Sequence, residues 1–376
     1  MKILLLPDSF KGSLSAHRAA SILEEAARKV FPDAEIVSWP VADGGEGTLA
    51  VVQKAAGGAL LPVPVTGPCG QRVQARYLSI GPTAVIELAE AAGLGKRLPG
   101  WSAMRTTTLG VGQLIAHALQ VGHTRIVIAL GGSATTDLGC GMAAALGTQF
   151  INEAGRPFVP TGETLGQVRS IRLNGFFFQK KGGPRIEALC DVSNPLYGPD
   201  GAAEVFAPQK GATPDEVKRL DEGLRHVASL FEKRGARIND LPGGGAAGGT
   251  GAGVAAFLNG RLVSGIDALL DLMKFEEAAK TADLIVTGEG CVDAQTKGGK
   301  VAAGIARRAS GTPVVVFAGS VAADQRELEA LYKLGVTAVL PILRTPATLG
   351  DAMRDAPENL AAAAESFFRI WAAKRG

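Results

Sequence analysis

Short continuous apolar runs alternate with helical segments at both ends of the chain, and this pattern constrains the fold most. The runs are KILLLP and EIVSWPV near the amino terminus, then DLIVTG, PVVVFAG and AVLPIL near the carboxyl terminus. Continuous apolar runs of this length are typical of strands buried in a parallel sheet. Over residues 15–30, apolar side chains recur at helical spacing behind the possible caps Ser13 and Ser15. The two ends therefore predict one doubly wound α/β domain.

The middle of the chain has a different pattern, with isolated strand-like runs, glycine-rich loops and a charged helix predicted around 214–234. A length of 376 residues fits two domains, at about 150 residues per domain. We expect both termini, residues 1–66 and 276–376, to form a flavodoxin-like doubly wound parallel sheet. A large inserted α/β domain is expected at 67–275, with Pro62, Pro64, Gly67 and Pro68 marking the first crossing. The active site is expected in the cleft between the two domains.

Three polar loops follow strands of the predicted outer sheet. If its strands take the flavodoxin-like order 2-1-3-4-5, the loops after strands 1 and 3 flank the switch point, where open α/β sheets bind ligands. Strand 1 leaves through PDSFKGS, strand 2 through ADGGEGT and strand 3 through TGEGCVD. Each loop alone also fits a capped helix start or a charged turn. Their candidate binding groups are Asp8, Ser9, Lys11, Asp43, Gly44, Gly45, Glu46, Gly288, Glu289, Gly290, Asp293, Lys297 and Lys300.

Two further loops in the middle region carry polar groups. The segment IVIALGGSATTDLGCGMAAALG is typical of a strand, a turn of small and hydroxyl residues, and a helix. Its donors could bind phosphate oxygens, or the turn could simply use glycine, threonine and aspartate for capping. The residues concerned are Gly131, Gly132, Ser133, Thr135, Thr136 and Asp137. In LCDVSNPLYG, Asp191 and Asn194 end a strand, which suits a base or metal ligand, or else an Asx-turn.

Other motifs constrain the function less. Arg105, in RTTTLGVG, could grip a small carboxylate bidentately, although an arginine on a surface turn is commoner. The spacing Gly243-x-Gly245-x-x-Gly248 matches the dinucleotide pattern, but no strand precedes it, so it supports only an anion-friendly helix entry. No segment fits the Walker A pattern or the G-x-S-x-G elbow, which disfavours a P-loop NTPase and a serine hydrolase. The four histidines show no metal spacing.

Net charge and cysteine spacing further limit the class of protein and its partners. A balance of 39 Lys+Arg against 36 Asp+Glu gives a net charge of +3, too small to suggest nucleic-acid binding. The four cysteines are far apart, so neither a zinc site nor a disulfide framework is indicated. The amino terminus lacks a signal-peptide core, and no apolar run approaches the ~18 residues of a membrane span. We therefore expect a soluble, cytoplasmic protein without a nucleic-acid or membrane partner.

The recurrent ingredients are glycine loops, carboxylates and a few lysines. Phosphoryl transfer uses such groups, because its catalysis consists mostly of positioning, Mg²⁺ binding and charge stabilisation. This chemistry predicts a kinase of a small metabolite.

Six ordered segments of the chain are similar to motifs of the bacterial glycerate kinase family, class I glycerate 2-kinase type. They are PDSFKGSLSA, ADGGEGT, ALGGSATTDLGCGMAAALG, CDVSNPLYGPDGAAEVFAPQKGAT, GGGAAGGTGAGVAAFL and TGEGCVDAQTKGGKVAAGIA. The resemblance runs nearly end to end. It implies phosphorylation of D-glycerate with ATP and Mg²⁺, usually at the 2-hydroxyl to give 2-phosphoglycerate and ADP. It also implies a flavodoxin-like domain carrying a large insertion.

The resemblance carries over to individual residues only where they match a motif. The matching positions are Asp8, Ser9, Lys11, Asp43, Glu46, Ser133, Asp137, Asp191, Asn194, Glu289, Asp293, Gln295 and Lys300. In the hypothesis that follows, Asp191 is the base nearest the reacting hydroxyl, and Lys11 and Lys300 neutralise phosphate or carboxylate charge. Asp293, Glu289 or Asp43 would hold Mg²⁺ directly or through water. The remaining partners are the small-molecule substrates, and the protein is expected to be a monomer or a homodimer.

The chain departs from the family pattern in two motifs. Cys291 stands where the family commonly has arginine, and Ala294 stands in place of a common serine. Thr136 and Leu138 replace a common asparagine and glycine. The alternatives are therefore a kinase of a different small hydroxy acid, a glycerate 3-kinase, or a non-catalytic metabolite sensor on the same fold. A GHMP-type kinase, suggested by LGGSATT, fits the five outer strands poorly.

Overall fold

The computed structural model describes residues 1–10, 12–41, 47–179, 181–233, 235–293, 296 and 301–374. Strands within these residues are β1 (Lys2–Pro7), β2 (Glu35–Ser38), β3 (Ala59–Thr66), β4 (Arg72–Ile80), β5 (Thr83–Glu87), β6 (Arg125–Ala129), β7 (Gln149–Ile151), β8 (Pro157–Phe158), β9 (Ser170–Arg172), β10 (Arg185–Leu189), β11 (Arg261–Val263), β12 (Leu284–Val292), β13 (Val314–Val321) and β14 (Val336–Pro341).

The α-helices are α1 (Ala16–Val30), α2 (Thr48–Ala56), α3 (Leu88–Ala92), α4 (Leu109–Gln120), α5 (Cys140–Ala145), α6 (Ala202–Phe206), α7 (Pro214–Glu232), α8 (Thr250–Leu258), α9 (Gly265–Leu272), α10 (Phe275–Ala279), α11 (Val301–Arg308), α12 (Gln325–Lys333), α13 (Leu349–Arg354) and α14 (Ala356–Ala373). Short 3-10 helices lie at Leu94–Lys96, Ala103–Arg105, Gly162–Gln167, Gly175–Phe178, Pro208–Lys210 and Ile238–Asp240. None of the described helices is both long and apolar enough to cross a membrane.

The first compact unit comprises the described residues of 1–43, 50–56 and 266–376. Its five-stranded sheet has the order β14-β13-β12-β1-β2, and every neighbouring pair is parallel. In sequence terms this is the order 2-1-3-4-5, so the predicted flavodoxin-like arrangement is confirmed. Ser15 caps α1 as expected, because its side chain accepts a hydrogen bond from the backbone N–H of Arg18.

Helices α1 and α14 cover part of this sheet with a continuous apolar layer. Ile3 and Leu5 of β1 contribute to that layer together with Phe317 of β13. The ring of Phe368 in α14 meets the ring of Phe31 edge-on at 6.3 Å. Burial of these side chains is the main favourable contribution to the packing, at ~25 cal/mol per Å² of apolar area.

The third strand of this sheet is longer than its sequence pattern predicted. The apolar run suggested an end near residue 288, whereas β12 continues to Val292. The extension pairs with β13 to the end of both strands, since Val292 lies opposite Val321. Most of TGEGCVD is therefore strand and not a loop. Pairing with β13 overrides the glycines that ordinarily weaken a strand.

The second compact unit comprises the described residues of 44–49 and 57–265. Its main sheet has six strands in the order β11-β10-β6-β5-β4-β3. Strands β5, β6, β10 and β11 run parallel, whereas β3 and β4 add an antiparallel meander. A smaller antiparallel sheet has the order β8-β7-β9. The carboxyl ends of β5, β6, β10 and β11 lie along one edge of the main sheet.

The boundaries between the units differ from those expected. Residues 59–66 form β3 at the edge of the six-stranded sheet, so the long continuous segment of the second unit begins at residue 57 instead of 67, after the short stretch 44–49. Pro62 and Pro64 are tolerated there because an edge strand pairs on one side only, and residues two apart direct their N–H groups the same way. The return falls after Gly265 instead of residue 275. That the two units act as separate domains stays a prediction.

Candidate active site

The loop after β1 is tied to β12 at the switch point of the first unit. The backbone N–H of Asp8 donates to the carbonyl oxygen of Gly288 at 2.8 Å. Asp8 Oδ1 accepts from the backbone N–H of Ser9 at 2.5 Å. Phe10 and Leu14 exchange backbone hydrogen bonds of 2.8 and 3.0 Å, which closes the loop into a tight turn. The Asp8 side chain is thereby fixed beside the end of two parallel strands.

Residue 288 has no room for a side chain, because neighbouring atoms already fill the space that a Cβ atom would take. A Cβ atom at Gly288 would lie 2.9 Å from the carbonyl oxygen of Phe317 and 3.1 Å from Cζ of Phe10. Close packing therefore accounts for this glycine without any ligand. Its predicted part in substrate binding stays a prediction.

The end of β12 carries a buried carboxyl group. Glu289 is 6% exposed, and the hydroxyl of Thr296 lies 3.5 Å from its Oε2. The backbone N–H of Asp293 donates to the same hydroxyl at 3.1 Å, so Thr296 links the two predicted metal ligands. Because side chains alternate along a strand, Cys291 lies on the same face as Glu289, and Gly290 lies on the other.

Several predicted site residues lie outside the described residues. They are Lys11, Asp43, Gly44, Gly45, Glu46, Gln295, Lys297 and Lys300. Residues 47–49, after the acidic loop, belong to the second unit, and there the N–H of Leu49 donates to Glu87 Oε1 at 2.6 Å. This contact ties the start of α2 to the end of β5. The loop itself, residues 42–46, lies outside the described residues, so its predicted opening on the outer sheet stays a prediction.

In the second unit, the loop after β6 is almost entirely enclosed. Gly132 takes a left-handed conformation with φ of +72°, and its carbonyl oxygen accepts from the N–H of Leu94 at 3.0 Å. Ser133 is 7% exposed and forms an antiparallel bridge with Gly93. Thr135 is fully buried. Only the glycines at the front of this predicted phosphate loop are open to solvent.

Asp137 lies behind that loop and caps two helices. Its Oδ2 accepts from the N–H and the hydroxyl of Thr108, both at 2.8 Å, at the start of α4. The N–H groups of Gly139 and Gly141, around the start of α5, donate at 3.1 and 3.2 Å. Burial raises the pKa of the Asp137 carboxyl, and these hydrogen bonds act in the opposite direction. This fully buried carboxyl organises the loop from within; direct phosphate binding by it stays a prediction.

Lys210 contacts the loop after β6, and the sequence analysis did not predict this contact. It ends the 3-10 helix Pro208–Lys210 and is only 2% exposed. Its Nζ donates to Ser133 Oγ at 2.9 Å and to the carbonyl oxygen of Thr135 at 2.6 Å. Burial lowers the pKa of this ammonium to about 7, although the carboxylate of Asp137 acts in the opposite direction. The only sequence signal was a single charged residue in the stretch FAPQKGA.

Asp191 follows β10, the strand beside β6. It is exposed, and its Oδ1 accepts a hydrogen bond from the backbone N–H of Gly265 at 2.8 Å. Asn194 shapes the same loop, since its Nδ2 donates to the carbonyl oxygen of Asp200 at 2.8 Å. An exposed carboxylate held at the end of a parallel strand suits a general base geometrically.

The glycine-rich segment before α8 packs against both loops. A Cβ at Gly248 would lie 2.0 Å from the carbonyl oxygen of Thr135, and one at Gly245 would lie 2.3 Å from that of Pro195. The N–H of Gly245 donates to the carbonyl oxygen of Asn194 at 3.0 Å. Close backbone packing thus accounts for the dinucleotide-like spacing.

Arg105 is exposed and paired with a carboxylate. Its Nε lies 3.0 Å from Glu163 Oε2. Such a surface pair contributes little to stability, about 0–1 kcal/mol. Its predicted grip on a substrate carboxylate stays a prediction, and that grip would have to compete with Glu163.

Comparison with known proteins identifies relatives over the whole chain. The model of the "Glycerate kinase family" matches residues 3–372. The chain is 42% identical to a glycerate kinase of Bacillus subtilis (strain 168), covering 96% of this chain and 95% of that protein. It is 40% identical to a glycerate 2-kinase of Escherichia coli (strain K12), covering 97% of each chain. A solved structure from Salmonella typhimurium LT2, provisionally named glycerate kinase 2, matches with a TM-score of 0.79 and 40% identity over 100% of this chain and 99% of that one.

Fold and similarity together define the class, an α/β kinase. Within that class, the chain belongs to the glycerate kinase family, and the resemblance found in its motifs is confirmed. The protein is accordingly an enzyme.

Proposed function

We propose that this enzyme transfers the γ-phosphoryl group of ATP to the 2-hydroxyl of D-glycerate, giving 2-phosphoglycerate and ADP. The observation that carries the proposal is the 40% identity, over 97% of both chains, to a relative named glycerate 2-kinase. The cytoplasmic location expected from the sequence belongs to the same proposal, as does the monomeric or homodimeric state.

In the proposed reaction, the glycerate 2-oxygen attacks the γ-phosphorus while the bond from that phosphorus to ADP breaks. The electron pair of the broken bond leaves on ADP, and the hydroxyl proton passes to Asp191. The position of Asp191 supports this role, because its carboxylate is exposed while Gly265 holds one of its oxygens. General-base assistance of this kind contributes about 10²- to 10⁴-fold in rate.

We assign the stabilisation of negative charge on the substrates to the loop after β6 and to two lysines of the first unit. The N–H groups of Gly131 and Gly132, with the Ser133 hydroxyl, are the groups we assign to anionic oxygens. Lys11 and Lys300 keep the role that the family resemblance implies for them, the neutralisation of phosphate or carboxylate charge.

Mg²⁺ is assigned to the end of β12. Among the described residues, no group of three or more His, Cys, Asp or Glu side chains could hold a metal ion. Protein sites for Mg²⁺ nevertheless commonly use one or two carboxylates together with substrate phosphates, which Glu289 and Asp293 fit as neighbours around Thr296. When bound, the ion would neutralise charge on the phosphate oxygens of ATP. Asp43 remains a candidate third ligand from the sequence.

One coupled assay tests the proposal. Purified protein is given D-glycerate, ATP and Mg²⁺, and product formation is followed through enolase with and without phosphoglycerate mutase. Signal without mutase is expected and identifies 2-phosphoglycerate. Signal only with mutase would instead identify a glycerate 3-kinase, and no glycerate-dependent ADP release would overturn the proposal.

A second candidate function is phosphorylation of a different small hydroxy acid. Cys291 favours it, because this residue shares a strand face with Glu289. The family resemblance also implies an arginine at this position, which this chain lacks. Comparing kcat/KM over a panel of small hydroxy acids tests it; the highest value for D-glycerate would exclude it. The sensor alternative is set aside because the family is one of enzymes.

A further inference from the structure

Lys210 is a fully buried cation whose two described hydrogen bonds go to uncharged oxygens. One acceptor is the Ser133 hydroxyl and the other is the Thr135 carbonyl oxygen. Burying an ammonium is costly unless it is paired and hydrogen-bonded. An apolar side chain would fill the same space without that cost, so packing alone gives no reason for a lysine here.

Asp137 is the charged group that acts electrostatically on Lys210, but its carboxylate already accepts hydrogen bonds from other groups. Its oxygens accept hydrogen bonds from Thr108, Gly139 and Gly141. Among the described ion pairs, none joins Asp137 to Lys210. Asp137 therefore moderates the charge of Lys210 through space, whereas the hydrogen bonds of the ammonium are directed at the loop after β6.

The ammonium fixes the direction of the Ser133 hydroxyl. An ammonium group can only donate, so Ser133 Oγ must accept from Lys210, and the hydroxyl hydrogen of Ser133 is left to donate elsewhere. Within the described part of the chain, Ser133 donates to no protein acceptor. The bridge with Gly93 holds the Ser133 backbone in place. The loop thus presents a pre-oriented O–H donor at the carboxyl end of β6.

We propose that Lys210 is a positioning residue that turns Ser133 into an obligatory hydrogen-bond donor toward an anionic oxygen of a substrate. The oxygen belongs to the carboxylate of the hydroxy acid or to a phosphoryl group of ATP, and both share the same oxyanion chemistry. This inference rests on the proposed function, since it adds to the same phosphoryl-transfer site a residue that orients Ser133.

Loss of the Lys210 proton would allow the hydrogen bond between Lys210 and Ser133 to reverse its direction. A neutral amine can accept from the Ser133 hydroxyl, which would remove the donor from the substrate. Because the pKa of Lys210 is about 7, this change falls in the working range of pH. Asp137 is the charged group that faces the ammonium, and its own hydrogen bonds keep it fixed. Substrate affinity should therefore fall as pH rises through this range, and anion binding should be accompanied by proton uptake.

The test compares Lys210→Met and Ser133→Ala with Lys218→Met, a control in which an exposed lysine on α7 is replaced. For each variant, KM for glycerate and KM for ATP are measured across pH, and thermal unfolding checks the fold. We expect Lys210→Met and Ser133→Ala each to raise one of the two KM values by about 10- to 100-fold. The substrate whose KM rises identifies the oxyanion. The double variant should be no worse than either single one.

Two outcomes would overturn the inference. One is a folded Lys210→Met variant whose KM values and pH profile match those of the unsubstituted enzyme. The other is a double variant whose effect equals the product of the single effects, because the two residues would then act independently.

If Lys210→Met does not fold, Lys210→Gln and the pH profile of Ser133→Ala carry the test. The amide of Lys210→Gln can still donate to Ser133 but has no proton to lose, so its KM should become independent of pH. Proton uptake on substrate binding, read by calorimetry in buffers of different ionisation enthalpy, should vanish in both variants. Persistence of the pH dependence in Lys210→Gln would reject the role. Absence of glycerate-dependent turnover in the unsubstituted enzyme would count against the proposed function itself.

Discussion

The backbone N–H of Gly265 donates a hydrogen bond to Asp191 Oδ1 across 2.8 Å, at the point where α9 begins. A Cβ atom at residue 265 would lie 2.3 Å from the other carboxylate oxygen, Oδ2. The glycine thus both holds the proposed base and leaves room for it. The two residues are 74 positions apart in the sequence.

Gly265→Ala should displace the Asp191 carboxylate while leaving the fold intact. The clashing atom is the free end of a short side chain, which can rotate away at little cost, so the melting temperature should change little. Misplacing a catalytic group by about 1 Å costs on the order of 100-fold, and kcat should fall by about 10- to 100-fold. Gly350→Ala, in open space on α13, is the matched control and should keep full activity. Normal kcat in Gly265→Ala would refute the positioning role.

Asp191→Asn should lower kcat by about 10²- to 10⁴-fold with a smaller change in KM, because an amide cannot take the hydroxyl proton. Steady-state kinetics with D-glycerate and ATP give both parameters. Asp200→Asn, an exposed aspartate on the same loop, controls for the loss of one negative charge. Near-normal kcat in Asp191→Asn would rule out Asp191 as the base.

The burial of Lys210 predicts a pH-dependent stability with a definite sign. Its pKa in the folded protein is about 7, below the ordinary value of 10.5, so between these values the unfolded chain binds more protons. The free energy of unfolding should therefore rise with pH across this window, by at most about 1.4 kcal/mol per pH unit. Guanidinium unfolding of the unsubstituted protein and of Lys210→Met isolates this contribution. Their difference should grow as pH rises, whereas a constant difference would contradict the depressed pKa.

Gly248→Ala should destabilise the second unit by about 2 kcal/mol or more. Its new Cβ would lie 2.0 Å from the Thr135 carbonyl oxygen and 2.6 Å from Thr136 Cα, both backbone atoms that cannot rotate away. Gly235→Ala makes a strict control, since Gly235 also has a positive φ but has open space around its Cβ position. Denaturant unfolding of the two variants separates the collision from the cost of the backbone conformation. Equal losses would mean that the collision is relieved elsewhere.

Cys291→Arg should lower KM for anionic hydroxy acids by about tenfold, because guanidinium binds carboxylates and phosphates through charge-assisted hydrogen bonds. Cys291→Ser keeps the size of the residue and serves as the control. A substrate panel measured with all three proteins reveals whether preference shifts along with affinity. An unchanged KM throughout would remove Cys291 from the candidate specificity residues.

The sheet of the first unit could be predicted because each of its strands is a continuous apolar run set between helices. The length of β12 could not, since Glu289, Gly290 and Cys291 resemble a polar loop until their pairing with β13 is known. Strand β3 was missed for a related reason, because its prolines disfavour a strand everywhere except at an edge. A local sequence pattern identifies a strand from its own residues and carries no information about the neighbouring strand that stabilises it.

The candidate site divides in the same way. Loops rich in glycine, hydroxyls and carboxylates stand out in sequence, and Ser133 and Asp191 were predicted as site residues by that means; their roles stay predictions. Lys210 and Gly265 were missed, since each acts on a residue more than 70 positions away, 77 in one case and 74 in the other. A single buried lysine or an unremarked glycine leaves no periodic signal. The pairing of β10 with β6 on one side and with β11 on the other places the loops that carry Ser133, Asp191 and Gly265 at one edge of the sheet.

The first sheet joins the two ends of the chain, and this affects how the protein emerges from the ribosome. Strand β1 pairs with β12, and the N–H of Lys2 bonds to Asp283, 281 residues later. During synthesis the amino-terminal strands must therefore wait for their central partner until most of the polypeptide has been made. The residues of the second unit are all translated in that interval, so that unit can fold first. For β1 and β2, with their apolar runs exposed meanwhile, the delay is the period of greatest risk of aggregation.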